Sequence, residues 1–204
     1  ASDVYKRQIR FLPHNSLTKV KVEELKCDVE LDELFGYFLG AFVSEGYANS
    51  EHGIINISNL DDKFTENVKE FLDKFNFSYK EYTHERGFGK SRDILIYSRP
   101  LARFLSISFG SNSRNKKIPS FVLSSNKSFL SGFLRGIFDG DGNISVSRKM
   151  IRISSCSEEL IDGIKILLNR FGIFSHKFKD KNQFWLSIPY KYAGVFSREI
   201  GSFI

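Results

Sequence analysis

From about residue 32 the apolar positions of this chain switch between helical spacing and strand alternation, in an order that occurs twice. Roughly residues 33–44 form an apolar, small-residue helix pattern, with Asp32 placed to cap its start. Tyr47–Ser50 and Gly53–Asn59 read as strands. From Asp61 or Asp62 the spacing is helical again, with Phe64, Val68, Phe71 and Leu72 on one face. Phe77–Arg86 and Ile94–Ser98 make a second hairpin around Arg86-Gly87-Phe88-Gly89. Pro100 suits the first turn of a closing helix that carries Leu101, Phe104 and Leu105. In the second round Ser157 caps a helix with Leu160, Ile164, Leu167 and Leu168. Strands follow near 173–181 and 184–188, then a helix from Pro189 to about Glu199. Residues 1–30 show no clear period and are left as an N-terminal extension.

The two rounds are copies. Phe38-Leu39-Gly40-Ala41-Phe42-Val43-Ser44-Glu45-Gly46 matches Leu134-Arg135-Gly136-Ile137-Phe138-Asp139-Gly140-Asp141-Gly142, the acids being 141 − 45 = 96 residues apart. Ile57 and Ile153, Leu72 and Leu168, and Phe75 and Phe171 keep that offset of 96. Leu95 matches Leu186 and Gly110 matches Gly201 at 91, so about five residues are missing from the second copy, most simply from a hairpin loop. A repeat this long is a duplicated domain and not a solenoid unit. The expected fold is mixed α+β, with tandem pseudo-twofold αββαββα repeats. Residues 31–110 and 129–204 are the subdomains, and 111–128, rich in Ser, Asn and Lys, is the linker.

Composition narrows the class. With 204 residues, 41% hydrophobic content and 21 phenylalanines, the chain has the material for a packed core. A net charge of +6 favours a polyanionic partner, though mild basicity is weak evidence alone. Cys27 and Cys156 form neither a zinc motif nor a disulfide framework. No apolar run has membrane-span length and no signal-peptide core stands at the start. The expectation is a soluble protein of a reducing compartment, cytoplasmic or in an organellar matrix, not secreted.

Residues four apart share a helix face, so Gly40 and Ser44 line one motif helix and Gly136 and Gly140 the other. Glycine costs a helix about 1 kcal/mol against alanine, a cost tolerated where backbones must touch. One copy alone is equally well a tight helix pair without chemistry. The acids separate the alternatives. Glu45 and Asp141 close their helices, followed by Gly46 and Gly142 in the expected left-handed cap position. A carboxylate there meets the negative end of the helix dipole, and two side by side repel. Divalent cations offset both terms, and hard oxygen ligands suit magnesium. Two metals about 4 Å apart activate water and stabilise a leaving phosphodiester oxygen. Asp139-Gly140-Asp141-Gly142-Asn143 also looks like the start of a calcium loop. It fails at its sixth and twelfth positions, Ile144 and Met150, where glycine and glutamate are required.

These paired motifs resemble the LAGLIDADG homing endonucleases in their single-chain, two-repeat form, over roughly residues 34–204. Glu45 departs from the commoner aspartate but keeps the carboxylate. The resemblance implies two antiparallel four-stranded sheets forming a saddle in the major groove of double-stranded DNA. Both motif helices lie at the interface, and the acids reach the scissile phosphates across the minor groove. It implies Glu45 and Asp141 as metal ligands and catalytic residues, with the Gly140 main chain as a further oxygen. Mg²⁺ is the expected metal, with Mn²⁺ or Ca²⁺ substituting for binding. Asn115-Lys116-Lys117-Ile118-Pro119 resembles the family's Lys-x-Ile-Pro segment, which makes Lys116, with Lys117 next, the candidate for the family's basic residue near the active site, there to orient water or stabilise charge developing on the phosphate. The same lysine taken alone is an ordinary solvated linker residue. Its counterpart in copy two falls just after Gly201-Ser202, at the end of the sequence. It is therefore missing or truncated, and unequal strand cleavage is expected. Asn59 and Ser155 match the polar position that approaches the metals through water.

Strand alternation sorts the DNA-contacting candidates. Tyr47, Asn49 and Asn56 come from the first pair of strands, and Ser78, Lys80, Tyr82, His84 and Arg86 from the next hairpin. Copy two offers Asn143, Ser145, Ser147, Lys149 and Arg152, then Ser175, Lys177, Lys179 and Lys181 opposite Phe174, His176 and Phe178. Either face alone reads more readily as a solvated sheet surface, and it is the two matching faces beside a metal site that favour DNA. The functional expectation is a monomeric, site-specific endonuclease on a long asymmetric target, leaving short 3′ overhangs and most like archaeal or intein-borne members. No splicing block is evident. The rivals are an RNA maturase and a non-cleaving DNA-binding regulator on the same fold.

Overall fold

In the computed structural model, which describes residues 8–10, 28–86 and 89–202, each half of the chain makes one four-stranded antiparallel sheet with helices on one face. Strands β1 (Gln8–Arg10) and β2 (Asp28–Glu30) pair ahead of the first repeat. The first repeat runs α1 (Glu33–Glu45), β3 (Gly46–Asn49), β4 (Ile54–Ser58), α2 (Asp62–Lys74), β5 (Tyr79–Arg86), β6 (Gly89–Tyr97) and α3 (Arg99–Phe109). A short α4 (Ser120–Leu123) precedes the second. That repeat is α5 (Lys127–Asp141), β7 (Asn143–Ser145), β8 (Met150–Ser155), α6 (Glu158–Arg170), β9 (His176–Asp180), β10 (Gln183–Pro189) and α7 (Ala193–Glu199). The sheets have matching orders, β3-β4-β6-β5 and β7-β8-β10-β9.

The helices start where side chains can take up free amides. Asp32, Asp61, Asn126 and Ser157 accept from the amides of Phe35, Phe64, Phe129 and Leu160 at 2.8–3.2 Å. Ser98 caps α3, and Pro100 lies in its first turn. The stretch between the repeats is less bare than its composition suggests: it holds α4, and Ile118 and Val122 are buried. The last helical stretch starts as a single 3-10 turn over Tyr190–Tyr192 before α7.

Helices α1 and α5 lie side by side with their C-termini at the same end. The stripe that joins them is one turn longer in each helix than the sequence suggested, adding Gly36 and Gly132. A Cβ on Gly36 or Gly40 would collide with the carbonyl of Phe129 or Phe133, and one on Gly132 or Gly136 with that of Glu33 or Tyr37. Backbone therefore meets backbone over two turns, which no larger residue permits. Around this seam a phenylalanine core forms, with Phe38 stacked on Phe71 at 4.2 Å and Phe35, Phe42, Phe109, Phe129, Phe133 and Phe138 fully buried.

Both motif helices end differently from expectation. Gly46 (φ −101°, ψ 149°) and Gly142 (φ −74°, ψ 154°) are extended and not left-handed. Each helix passes into its first strand without a reversing turn, so a left-handed cap has no place. Gly46 is held to glycine by sterics instead, since a Cβ would lie 2.7 Å from the Cα of Phe42.

The sheet register also divides the missing residues. Lys80 and His176 occupy matching rows, opposite Leu95 and Ser187. His176 stands 176 − 80 = 96 positions after its counterpart, and Ser187 stands 187 − 95 = 92 after its own. Four residues are thus lost from the β9–β10 hairpin and one more before Gly201. The equivalent of Leu95 is Ser187, not Leu186.

Candidate functional site

The glycine seam decides where the acids go. Because α1 and α5 touch and run parallel, Glu45 and Asp141 emerge together at one end, at the entry to the first strand of each sheet. A Cβ on Gly140 would lie 3.1 Å from the Cγ of Glu45, so the glutamate side chain rests against the opposite helix. Ser44 Oγ donates to the Gly136 carbonyl at 3.3 Å and secures the crossing. Desolvation, reinforced by the Asp141 charge, pushes the Glu45 carboxyl up to about 7. Asp141 presents its edge to solvent, yet the protein around it still raises its carboxyl to about 6 by desolvation, against a lowering pull from Lys116. Two raised carboxylates at two negative helix ends are an unmet demand for positive charge.

Lys116 supplies part of it. Its ammonium is buried and donates to the carbonyls of Phe42 and Gly46, both at 2.8 Å, while lying 3.7 Å from the Phe42 ring centroid. Burial lowers it to about 7, opposed by attraction from Asp141. The linker lysine is therefore not solvated. Its own carbonyl accepts from Ser157 Oγ at 2.5 Å, which ties the linker to the start of α6. Lys117 is half-buried, and its amide donates to the Phe109 carbonyl at 3.0 Å.

Asn59 Nδ2 donates to Glu45 Oε1 at 3.4 Å, next to the acid as its spacing implied. Ser155, its counterpart, accepts from the Ser157 amide at 3.1 Å and serves the start of α6. Asp139 is buried in α5 and accepts from Tyr37 at 3.1 Å and from Ser202 at 2.6 Å, so it belongs to the helix packing. Among the described residues no group of three or more His, Cys, Asp and Glu stands ready to hold a metal. The donor set is the two carboxylates with nearby main-chain oxygens, which fits a hard cation that keeps open positions for water and phosphate.

The helix-free faces of the sheets flank this site. In the first sheet Tyr47, Asn56, Leu95 and Lys80 form one row across the strands, and Ser58, Asp93 and Tyr82 the next, with His84 beyond. Asn49 shares this face, but its Oδ1 caps the following turn by accepting from Glu51 and His52. Arg86 closes β5, and Ser78 lies just before it.

The second sheet corrects the sequence reading. Lys177 opposes Leu186 and Ile153, which are buried against the helices, and it donates to Glu158 and Asp162 of α6 at 2.7 Å each. Lys179 shares that side, over the Phe184 ring, and Ser175 is buried. The helix-free face of β9 instead carries His176, Phe178 and Asp180. The offset of 96 holds through this strand, so the expected Ser175, Lys177 and Lys179, one residue out of step with the equivalents of Ser78, Lys80 and Tyr82, fall on the opposite side. Lys181 sits in the hairpin turn at φ 53°. Asn143 and Ser145 lie on the helix-free face, whereas Ser147 and Lys149 fall in the turn after β7.

Four residues escaped the sequence reading. Asp93 was hidden because the predicted strand began at Ile94; β6 starts at Gly89 and brings Asp93 against Ser58, Asn56 and His84. Trp185, the only tryptophan of the chain, alternates with Leu186 and was a readable signal. Gly36 and Gly132 were readable at the same four-residue spacing.

Comparison with known proteins agrees with the fold. Residues 32–108 and 128–201 match the LAGLIDADG-like domain. The chain is 48% identical over 182 residues to DNA-directed RNA polymerase subunit Rpo1C of Methanocaldococcus jannaschii, a match covering 89% of this chain and 21% of that protein. It is 31% identical over 190 residues to a DNA polymerase of Thermococcus sp. (strain GE8), covering 85% of this chain and 10% of the polymerase. The chain thus spans about a fifth of the first relative and a tenth of the second. Among solved structures, I-DmoI in complex with DNA and Mn aligns with a TM-score of 0.64 at 14% identity, over 85% of this chain and 99% of that one. Full-length DUF199/WhiA from Thermatoga maritima aligns at 0.64 and 17% identity, over 90% of this chain and 58% of that one. The twofold domain match and the shared architecture show that this chain belongs to the LAGLIDADG-like domain family.

Proposed function

We propose that the chain is a site-specific endonuclease that hydrolyses both strands of double-stranded DNA with divalent metal, magnesium by preference. One observation carries this: the glycine seam forces Glu45 and Asp141 together between two helix-free sheet faces. Their raised carboxyls mark a site that gains from a bound cation. A divalent ion held there would supply Lewis-acid chemistry, activating water and stabilising the leaving oxygen. Glu45 and Asp141 would hold it, and Asn59 keeps Glu45 oriented. Lys116 keeps positive charge beside Asp141 while fixing the end of α1. That I-DmoI was solved with DNA and Mn, and also with DNA and Ca, supports the same partners here. The same domain matches a small share of a polymerase subunit and of a DNA polymerase, the distribution of a module carried by its hosts.

The test is incubation with a randomised duplex library in magnesium, followed by sequencing of cut ends. A shared long site with short 3′ overhangs is expected. Asp141→Asn should reduce cleavage about 10²- to 10³-fold or more, with DNA affinity kept within a few-fold. Intact DNA together with tight RNA binding would replace the nuclease by a maturase, and DNA binding without cutting by a regulator.

A further inference from the structure

Asn56 and Arg152 hold the same place in the two repeats, on the second strand of each sheet and on its helix-free face. Their surroundings leave opposite halves of a hydrogen bond on offer. Asn56 Nδ2 is committed to Ser58 Oγ at 3.2 Å and to Asp93 Oδ1 at 3.4 Å. Ser58 also donates to Asp93. An ionised carboxylate only accepts, so it fixes which end of the amide turns toward it. What remains is the carbonyl oxygen Oδ1, which is buried and has no partner among the described residues. A buried acceptor left unpaired costs free energy that a ligand donor would return.

Arg152 is the converse. Its guanidinium lies 4.4 Å from the Trp185 ring centroid and 5.8 Å from that of Phe178. Those two rings are parallel within 8° at 6.2 Å and stand directly opposite each other across β10 and β9. Its Nε is buried and has no hydrogen-bond partner among the described residues. Stacking occupies the plane of the guanidinium and leaves its edge of N–H donors free.

We infer that Asn56 and Arg152 are paired base-reading positions of opposite polarity, Asn56 accepting from the amino group of adenine or cytosine and Arg152 donating to guanine. In the major groove the amino donors belong to adenine and cytosine, and guanine alone offers the O6/N7 acceptor pair to a flat fork. Asp93 next to Asn56 repels a phosphate, so that position reads a base edge and not the backbone. The inference rests on the DNA-cleaving reading and adds its specificity. Because the two residues are equivalent in the fold, the bases they read lie at equal distances on either side of the site's centre.

Binding selection from a randomised duplex library, in calcium to prevent cutting, tests this with wild type, Arg152→Ala, Arg152→Lys and Asn56→Ala. Wild type should recover one long site. Arg152→Ala should lose about 5- to 100-fold of the preference for guanine at one position and little elsewhere. Arg152→Lys should restore overall affinity but not the full guanine preference. Asn56→Ala should relax an amino-base preference at the mirrored position. Replacing that guanine with 7-deazaguanine should weaken wild type and leave Arg152→Ala unaffected, a readout that no folding defect can imitate. Altered thermal stability with unchanged base preferences, or equal weakening on all sequences, overturns the inference and leaves the nuclease intact. Failure of wild type to recover any common DNA site overturns the nuclease reading itself.

Discussion

The two helix-free sheet faces have one backbone and two chemistries. In the first, an acid organises the centre: Asp93 draws in Ser58, Asn56 and His84, with Tyr82 stacked on His84 at 11°. In the second, aromatic rings do, and Arg152 lies on Trp185 and Phe178. The motif helices show no such divergence, since both keep glycine at the positions where their backbones touch. Positions that face backbone are fixed by volume, whereas positions that face a ligand are free to differ. A duplicated scaffold with unlike faces is suited to a target whose halves differ.

The comparison breaks most completely at the seam. In Gly136→Val the added side chain would meet the Tyr37 carbonyl and the Ala41 amide, neither of which can move aside. A loss of about 4 kcal/mol or more is expected in urea denaturation, enough to threaten folding. Gly194→Ala, with no atom of the described residues within 4 Å of the added Cβ, should be neutral or gain up to about 1 kcal/mol. Two separate unfolding transitions in wild type would show that the halves do not depend on the seam.

Lys116→Met tests the asymmetry of the site. It takes a donor from the buried Phe42 carbonyl and from the partly buried Gly46 carbonyl and should cost about 1–3 kcal/mol. Cleavage should slow by about 10²-fold or more if its charge acts on the phosphate, and unequally on the two strands. A stability loss with unchanged cleavage would confine this lysine to holding α1.

Glu45→Gln separates the acids from their scaffold. Both carboxyls are raised in the folded chain, from 4.5 to about 7 at Glu45 and from 3.8 to about 6 at Asp141. The folded state then binds protons more tightly than the unfolded one, so stability from these groups is lost as pH rises from about 4 through 7. Without divalent ions, Glu45→Gln should melt close to wild type near pH 4 and increasingly above it toward pH 8. Manganese should raise the melting temperature of wild type more than that of the variant. A gap that shrinks with rising pH would contradict the assigned desolvation.

The smallest effects compare one lysine from each sheet. Lys80 is exposed on the helix-free face, whereas Lys177 pairs with Glu158 and Asp162 on the helix side. Lys80→Ala should weaken DNA binding and reduce the salt dependence by about one counterion. Lys177→Ala should leave both unchanged. Equal effects in binding titrations at several salt concentrations would place the second DNA surface elsewhere.

Sequence reading went furthest where periodicity is long and repeated. The helix starts at Asp32, Asp61 and Ser157 were legible because a cap is a local hydrogen bond. The positions of Glu45 and Asp141 at the ends of the paired helices were legible because both copies place a carboxylate five residues after a seam glycine and just before another glycine. Faces in the second sheet were not, because alternation has a period of two and a single misplaced residue inverts it. Matching Leu95 with Leu186 was a separate one-residue error in β10, since two leucines align in letters without aligning in register. The Gly46 and Gly142 conformations also escaped, because a glycine after a helix signals a turn unless the next strand begins at once.

By itself the sequence determined that the chain is a duplicated α+β domain, with two acids ending two close-packing helices and a net positive charge. Those are properties of spacing and residue type, which survive without coordinates. Only the tertiary structure decided that the two helices lie parallel, that Lys116 is buried against the end of α1, and which side of β9 is free. It also set Asn56 and Arg152 in equivalent places with opposite hydrogen-bonding needs. These depend on contacts between residues far apart in the chain, where close packing and strand register, not local preference, choose the arrangement.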